Sequence, residues 1–192
     1  MADSGSGRDR CARKDATRMQ SLEFRTELRD PETAMAALLR AGATPLVTLE
    51  LRDTYFRVPS GVFKKREAVD EPVEYVFYDR RSGLAPRLCR FTLYDEPQMR
   101  LRFGRTDPPT WRVVCKTRVA LMRANVRIHL DEVVGLGQFC ELEAAVSKAH
   151  NVARCHENIG ELRHILGPTL GEPVTGTYAD MLDALEPERH VG

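Results

Sequence analysis

Residues 127–143 read RIHLDEVVGLGQFCELE, with Arg127, His129 and Asp131 on one side of a glycine-rich turn and Glu141 and Glu143 on the other. The spacing within each group is two. Successive side chains of a strand point to opposite faces, so a hairpin here gathers these five groups on one surface. Ile128, Leu130 and Leu142 then share the other. An imidazole can exchange protons, carboxylates hold hard divalent cations, and guanidinium groups clamp phosphate oxygens. The same alternation recurs in Lys64 and Arg66, and in Lys116 and Arg118 with Arg112 in phase; Arg25 and Arg80 add further cations. One polar face is ordinary for a half-exposed antiparallel strand. Repeated over a whole sheet with both signs of charge, it fits a face that turns inward, where unpaired charges are too costly to leave alone. A polyanion bound with Mg²⁺ or Mn²⁺ would satisfy both signs.

The surrounding sequence supplies strands to carry these residues. SLEFRTEL (21–28) alternates, with Leu22, Phe24 and Leu28 on one face, and reads as a first strand. A helix follows in DPETAMAALLRAGA: Asp30 suits the N-cap, Pro31 the first position, Glu32 the positive end, and Gly42 the residue past the end. Strand-like runs are expected at 47–56, 61–67, 74–80, 87–94, 99–103, 111–121, 126–132 and 139–146, many of them separated by turn signals such as PSG, RSG and TDPP. Val152, Cys155, Ile159, Leu162 and Leu166 recur at helical spacing within 147–166, and YADMLDAL forms a short last helix. Many antiparallel strands with few helices indicate an α+β fold with a closed or strongly curved sheet.

At 192 residues the chain can bury one substantial core, and 29 basic against 28 acidic residues give no global argument for nucleic acid or an anionic membrane. No apolar run approaches the roughly 20 residues of a membrane span. The first 18 residues lack the apolar stretch of a secretory signal and are expected to be a flexible tail, followed by a single domain over 19–188. Five scattered cysteines with no C-x-x-C pair read as reduced thiols, so a cytoplasmic location is expected.

In these motifs the chain resembles the CYTH superfamily, the triphosphate tunnel metalloenzymes, which include class IV adenylyl cyclases, thiamine triphosphatases and inorganic triphosphatases. RIHLDEVVGLGQFCELE is close to that family's signature. DTYF (53–56), FKKRE (63–67), EYVFYDR (74–80), VVCKTR (113–118) and TYADML (177–182) follow in the family's order. The resemblance implies a closed antiparallel β-barrel of about eight strands, forming a tunnel for polyphosphate and metal, with a few packed helices. It also implies phosphate-binding roles for Arg25, Lys64, Arg66, Arg80, Lys116, Arg118 and Arg127, and metal-binding roles for Glu23, Asp131, Glu141 and Glu143. His129 is either an acid/base catalyst or a polar part of the tunnel wall. Tyr178 resembles the family's tyrosine before the last helix, but reads first as a buried tyrosine with a satisfied hydroxyl.

Two departures stand out. Ser21 occupies the first glutamate position of the family's Glu-x-Glu-x-Lys strand, where Arg25 replaces the lysine, and Val62 occupies a position that is usually basic. The expected activity is that of a divalent-metal-dependent enzyme acting on an organic tri- or diphosphate, most simply a phosphohydrolase. Adenylyl cyclase is an alternative within the same class. Val62 with Phe77, Tyr78, Cys89 and Phe91 permits a cyclase of an isoprenoid-type substrate that begins by diphosphate loss. The altered Ser21 and Val62 permit a non-catalytic phosphate-binding module. A homodimer is compatible with this class, although no surface patch in the sequence marks an interface.

Overall fold

The computed structural model describes residues 16–79 and 83–185. Its strands are β1 (Thr17–Leu28), β2 (Thr44–Phe56), β3 (Val62–Ala68), β4 (Glu74–Asp79), β5 (Arg87–Tyr94), β6 (Thr110–Arg123), β7 (Val126–Val133), β8 (Gly137–Ala145) and β9 (Leu170–Pro173). The helices are α1 (Pro31–Arg40), α2 (Glu96–Phe103), α3 (Val152–Leu166) and α4 (Tyr178–Leu185). Strands pair in the order β5-β4-β3-β2-β6-β7-β8-β1, and β1 pairs back with β5, so eight antiparallel strands close into a barrel. Closure depends on the length of β1. Its residues 17–23 pair with β5 and its residues 21–27 with β8. Thr17 and Arg18, expected in the tail, therefore belong to the barrel wall. The short β9 adds to the far end of β1 and had no counterpart in the sequence reading.

Alternation then sorts the side chains. Leu22, Phe24, Ile128, Leu130 and Leu142 point out of the barrel and bury against Leu38 of α1 and Ile159, Leu162 and Leu166 of α3. Each such side chain contributes about 1.5–3 kcal/mol through burial. The main apolar core is thus outside the barrel, between strands and helices, and the charged face is left inside. The helix α1 has the expected ends, with the Asp30 carboxylate accepting from the Thr33 amide. Asn151 caps α3, so this helix starts at Val152 rather than at 147, and 147–150 form a turn in which the Ser147 amide donates to the His150 carbonyl.

The expected strand at 99–103 is instead part of α2. Asp95 and Gln98 make a reciprocal capping box and Pro97 lies in the first turn; together they outweigh the alternation of Met99, Leu101 and Phe103. Met99 and Phe103 pack on the outer face of β3 and β4 with Phe63, Tyr75 and Phe77. At the opposite end α4 closes the barrel, with Tyr178 and Ala179 against Val133 and Phe139. None of the described helices is long and apolar enough to cross a membrane.

Candidate functional site: a charged cavity inside the barrel

Gly135 and Gly137, at φ 81° and 96°, adopt the left-handed conformation that the β7–β8 turn needs and that side-chain-bearing residues rarely take. The resulting register sets Arg127 opposite Glu143 and His129 opposite Glu141. Glu143 in turn faces Glu23, and Glu141 faces Arg25, across β8 and β1. These six residues line a cavity of about 670 Å³ together with Lys64 and Arg66 from β3 and Lys116 and Arg118 from β6. The fold therefore gathers the charged residues singled out in the sequence into one interior, apart from three. Asp131 lies on the same face but beneath the cations that line the cavity, and Arg80 falls outside the described residues. Arg112, in phase on β6, pairs with Asp183 of α4 at 2.7 Å.

The interior is held by three buried carboxylates, each shared among cations. Asp131 accepts from Lys116 Nζ at 2.9 Å, from Arg118 through two hydrogen bonds of 2.6 Å, and from the Tyr178 hydroxyl at 2.9 Å. Glu141 accepts from Arg25 at 2.5 Å and from Arg118 at 2.9 Å. Asp53 of β2 accepts from Lys64 at 2.8 Å and from Arg66 through bonds of 2.8 and 2.9 Å. Asp53 was not singled out as a site residue, although it begins the quoted DTYF motif. Its phase with Leu51 and Tyr55 was the available signal.

Burial works against charge in all three carboxyls, but the neighbouring cations prevail. Arg66 and Lys64 hold Asp53 well below the usual range, Arg118 and Lys116 do the same for Asp131, and Arg25 and Arg118 for Glu141. For the lysines the balance falls the other way. Burial and the adjacent Arg66 bring Lys64 down to about 8, and burial and Arg118 bring Lys116 down to about 7. Five lysine and arginine side chains share these three carboxylates, an arrangement suited to a site that takes an anion.

Tyr178 joins the closing helix to this lattice. Besides its bond to Asp131, its ring lies 4.3 Å from the Arg25 guanidinium and 4.9 Å from Lys116 Nζ. Of the two roles open to it, the observed one is a buried tyrosine with a satisfied hydroxyl. Arg25 also donates to the Gly176 carbonyl, anchoring the segment before α4.

Glu23 and Glu143 are not used this way. The Ser21 hydroxyl donates to Glu23 Oε1 at 2.9 Å, so the residue in the first glutamate position orients the second. Among the described residues His129 Nδ1 is buried with no hydrogen-bond partner, and it lies 3.7 Å from Glu141 and 3.8 Å from Glu143. Burial and Arg118 lower its pKa, favouring neutral imidazole. Atoms of His129, Glu141 and Glu143 lie within 4.8 Å of one another, close enough to surround one ion. Glu23 and Glu143, which face each other across β1 and β8, fit a hard divalent cation such as Mg²⁺ or Mn²⁺.

No protein-family model and no curated protein sequence matches the chain. Solved structures do match in fold. A candidate adenylate cyclase from Vibrio parahaemolyticus aligns at TM-score 0.66 and 15% identity, over 86% of this chain and 98% of that one. The PH1012 protein from Pyrococcus horikoshii OT3 aligns at TM-score 0.63 and 19% identity, over 83% and 98%. HpAC1 from Hippeastrum, described as having a dominant triphosphatase activity, aligns at TM-score 0.57 and 11% identity, over 85% and 96%.

Proposed function

We propose, from the CYTH-type triphosphate-tunnel fold that this chain has, that it is a divalent-metal-dependent phosphohydrolase of an organic tri- or diphosphate. The observation that carries this reading is the meeting of Arg25, Lys64, Arg66, Lys116 and Arg118 in one cavity beside Glu23 and Glu143, which accept no hydrogen bond from a lysine or arginine among the described residues. In this reading the five cations hold the phosphate oxygens, with Arg127 at the exposed edge of the same wall as a sixth contact. Glu23 and Glu143 hold the metal. Asp53, Asp131 and Glu141 fix the cations in place, a positioning role in keeping with their full occupation by lysine and arginine.

When bound, the metal supplies neutralisation of charge on the phosphate oxygens. The chain's own contribution is mainly preorganisation: guanidinium and ammonium groups already aimed into the cavity need little rearrangement as charge shifts during phosphoryl transfer. His129, held neutral beside Glu141 and Glu143, is suited to take the proton of an attacking water.

The test is phosphate release by purified protein from organic and inorganic triphosphates and diphosphates, with Mg²⁺, Mn²⁺ or EDTA. Turnover that requires metal, and that falls at least a hundredfold in Glu23→Ala and in the charge-conserving Arg118→Lys, is expected. Turnover insensitive to both EDTA and these substitutions contradicts the proposal.

A further inference from the structure

The cavity has two poles. Cations enter it from β1, β3, β6 and β7, whereas β4 and β5 contribute Val76, Tyr78, Cys89, Phe91 and Leu93 and no cation among the described residues. The apolar wall continues to the rim. In the β1–β5 pairing Met19 meets Phe91, and on the other side of the mouth β2 presents Leu46 and Val47 where its register runs past the end of β3. Met19, Leu46 and Val47 remain 43%, 51% and 42% exposed, a high exposure for large apolar side chains lining a cavity. Glu71 and Glu74 line the same end and would repel a phosphate placed there.

Phe77 is not part of this wall; it faces outward against Phe63 and Phe103. Tyr78, Cys89 and Phe91 do face inward.

Resting on the proposed function, we infer that the organic part of the substrate is a hydrocarbon chain, so that the ligand class is a prenyl- or alkyl-type diphosphate held phosphate-first. The diphosphate lies among Lys64, Arg66 and Arg118, and the chain runs along β4 and β5 to the mouth between Phe91 and Val47. The volume suits an organic ligand. A purine or thiazolium-type group fits less well, because its polar edges need hydrogen-bonding partners and, among the described residues, this wall carries only the Tyr78 hydroxyl and the Cys89 thiol short of the rim. A hydrocarbon asks for none, and covers the apolar rim as it binds.

Calorimetric titration with Mg²⁺ separates the possibilities, using farnesyl diphosphate, inorganic diphosphate, inorganic triphosphate and ATP. Farnesyl diphosphate is expected to bind at least tenfold more tightly than inorganic diphosphate. Phe91→Ser and, separately, the exposed Val47→Ser should each remove most of that margin while leaving inorganic diphosphate affinity within about twofold. Equal affinities for farnesyl and inorganic diphosphate, or tightest binding of ATP, overturn the hydrocarbon inference and leave the phosphate site standing. No binding of any of the four overturns the proposed function as well.

Discussion

Arg118 and Asp131 face each other across the β6–β7 ladder and are joined by two hydrogen bonds of 2.6 Å, Nε to Oδ1 and Nη2 to Oδ2, with both side chains buried. A buried guanidinium–carboxylate pair of this geometry does not by itself add much stability, since desolvation opposes the attraction. Its consequence is that neither partner can be removed alone. The same holds around the barrel, where Asp53, Asp131 and Glu141 each hold cations that would repel one another.

Asp131→Ala should therefore destabilise the fold by about 3–5 kcal/mol, the range for breaking one side of a buried ion pair. Denaturant unfolding measures it. Addition of inorganic triphosphate should recover part of the loss, because the ligand restores negative charge beside Lys116 and Arg118. Wild-type stability in this variant would mean that the lattice of buried charges does not constrain the barrel.

Anion affinity should depend on pH through the two lysines. In the free protein Lys116 titrates at about 7 and Lys64 at about 8, both lowered by burial and a neighbouring arginine. A bound polyphosphate favours the charged forms and so raises both values. The affinity is then greatest below pH 7, and falls as pH rises through 7 to 8 and beyond, with proton uptake on binding in that window. Titrations of inorganic triphosphate from pH 6 to 9 in two buffers of different ionisation heat test this. Lys116→Met should flatten the lower part of the profile; an unchanged profile would remove Lys116 from the explanation.

His129 can be separated from the metal carboxylates by its kinetics. His129→Gln is expected to lower kcat by about 10²–10⁴-fold, the usual contribution of an acid/base group, with metal affinity changed less than threefold. A tenfold loss of metal affinity would instead make Nδ1 a metal ligand.

The hydrogen bond from Ser21 to Glu23 predicts two opposite substitutions at one position. Ser21→Ala should weaken Mn²⁺ binding severalfold by releasing the Glu23 carboxylate. Ser21→Glu, which places a third carboxylate beside Glu23 and Glu143, should strengthen it. Manganese titration followed by electron paramagnetic resonance reads both, and no response to either change would detach Glu23 from the metal.

Much of this site was legible because strand alternation is local. Arg127, His129, Glu141 and Glu143 declare a common face by their spacing alone, and Ile128 and Leu142 declare the opposite one. What alternation cannot say is which face is inside; that follows from closure, when β1 pairs with β5 as well as β8. Asp53 escaped notice for a related reason. Alone in LRDTYF it looks like an interruption, and it acquires meaning only when the β2–β3 register brings Lys64 and Arg66 onto its two oxygens. At 99–103 the reverse holds: Met99, Leu101 and Phe103 alternate like a strand, but Asp95, Pro97 and Gln98 carry a helix start that prevails. Asp131 was grouped with possible metal ligands by charge and phase, but its neighbours are Lys116, Arg118 and Tyr178, contacts fixed by β6 and α4.

The most direct test is diffraction from crystals containing Mn²⁺ and inorganic triphosphate, with anomalous scattering used to place the metal. An anomalous peak at bonding distance from Glu23 and Glu143, with phosphate density against Lys64, Arg66 and Arg118, is the expected result. Manganese bound elsewhere, or an interior that stays free of phosphate at saturating ligand, would contradict the account.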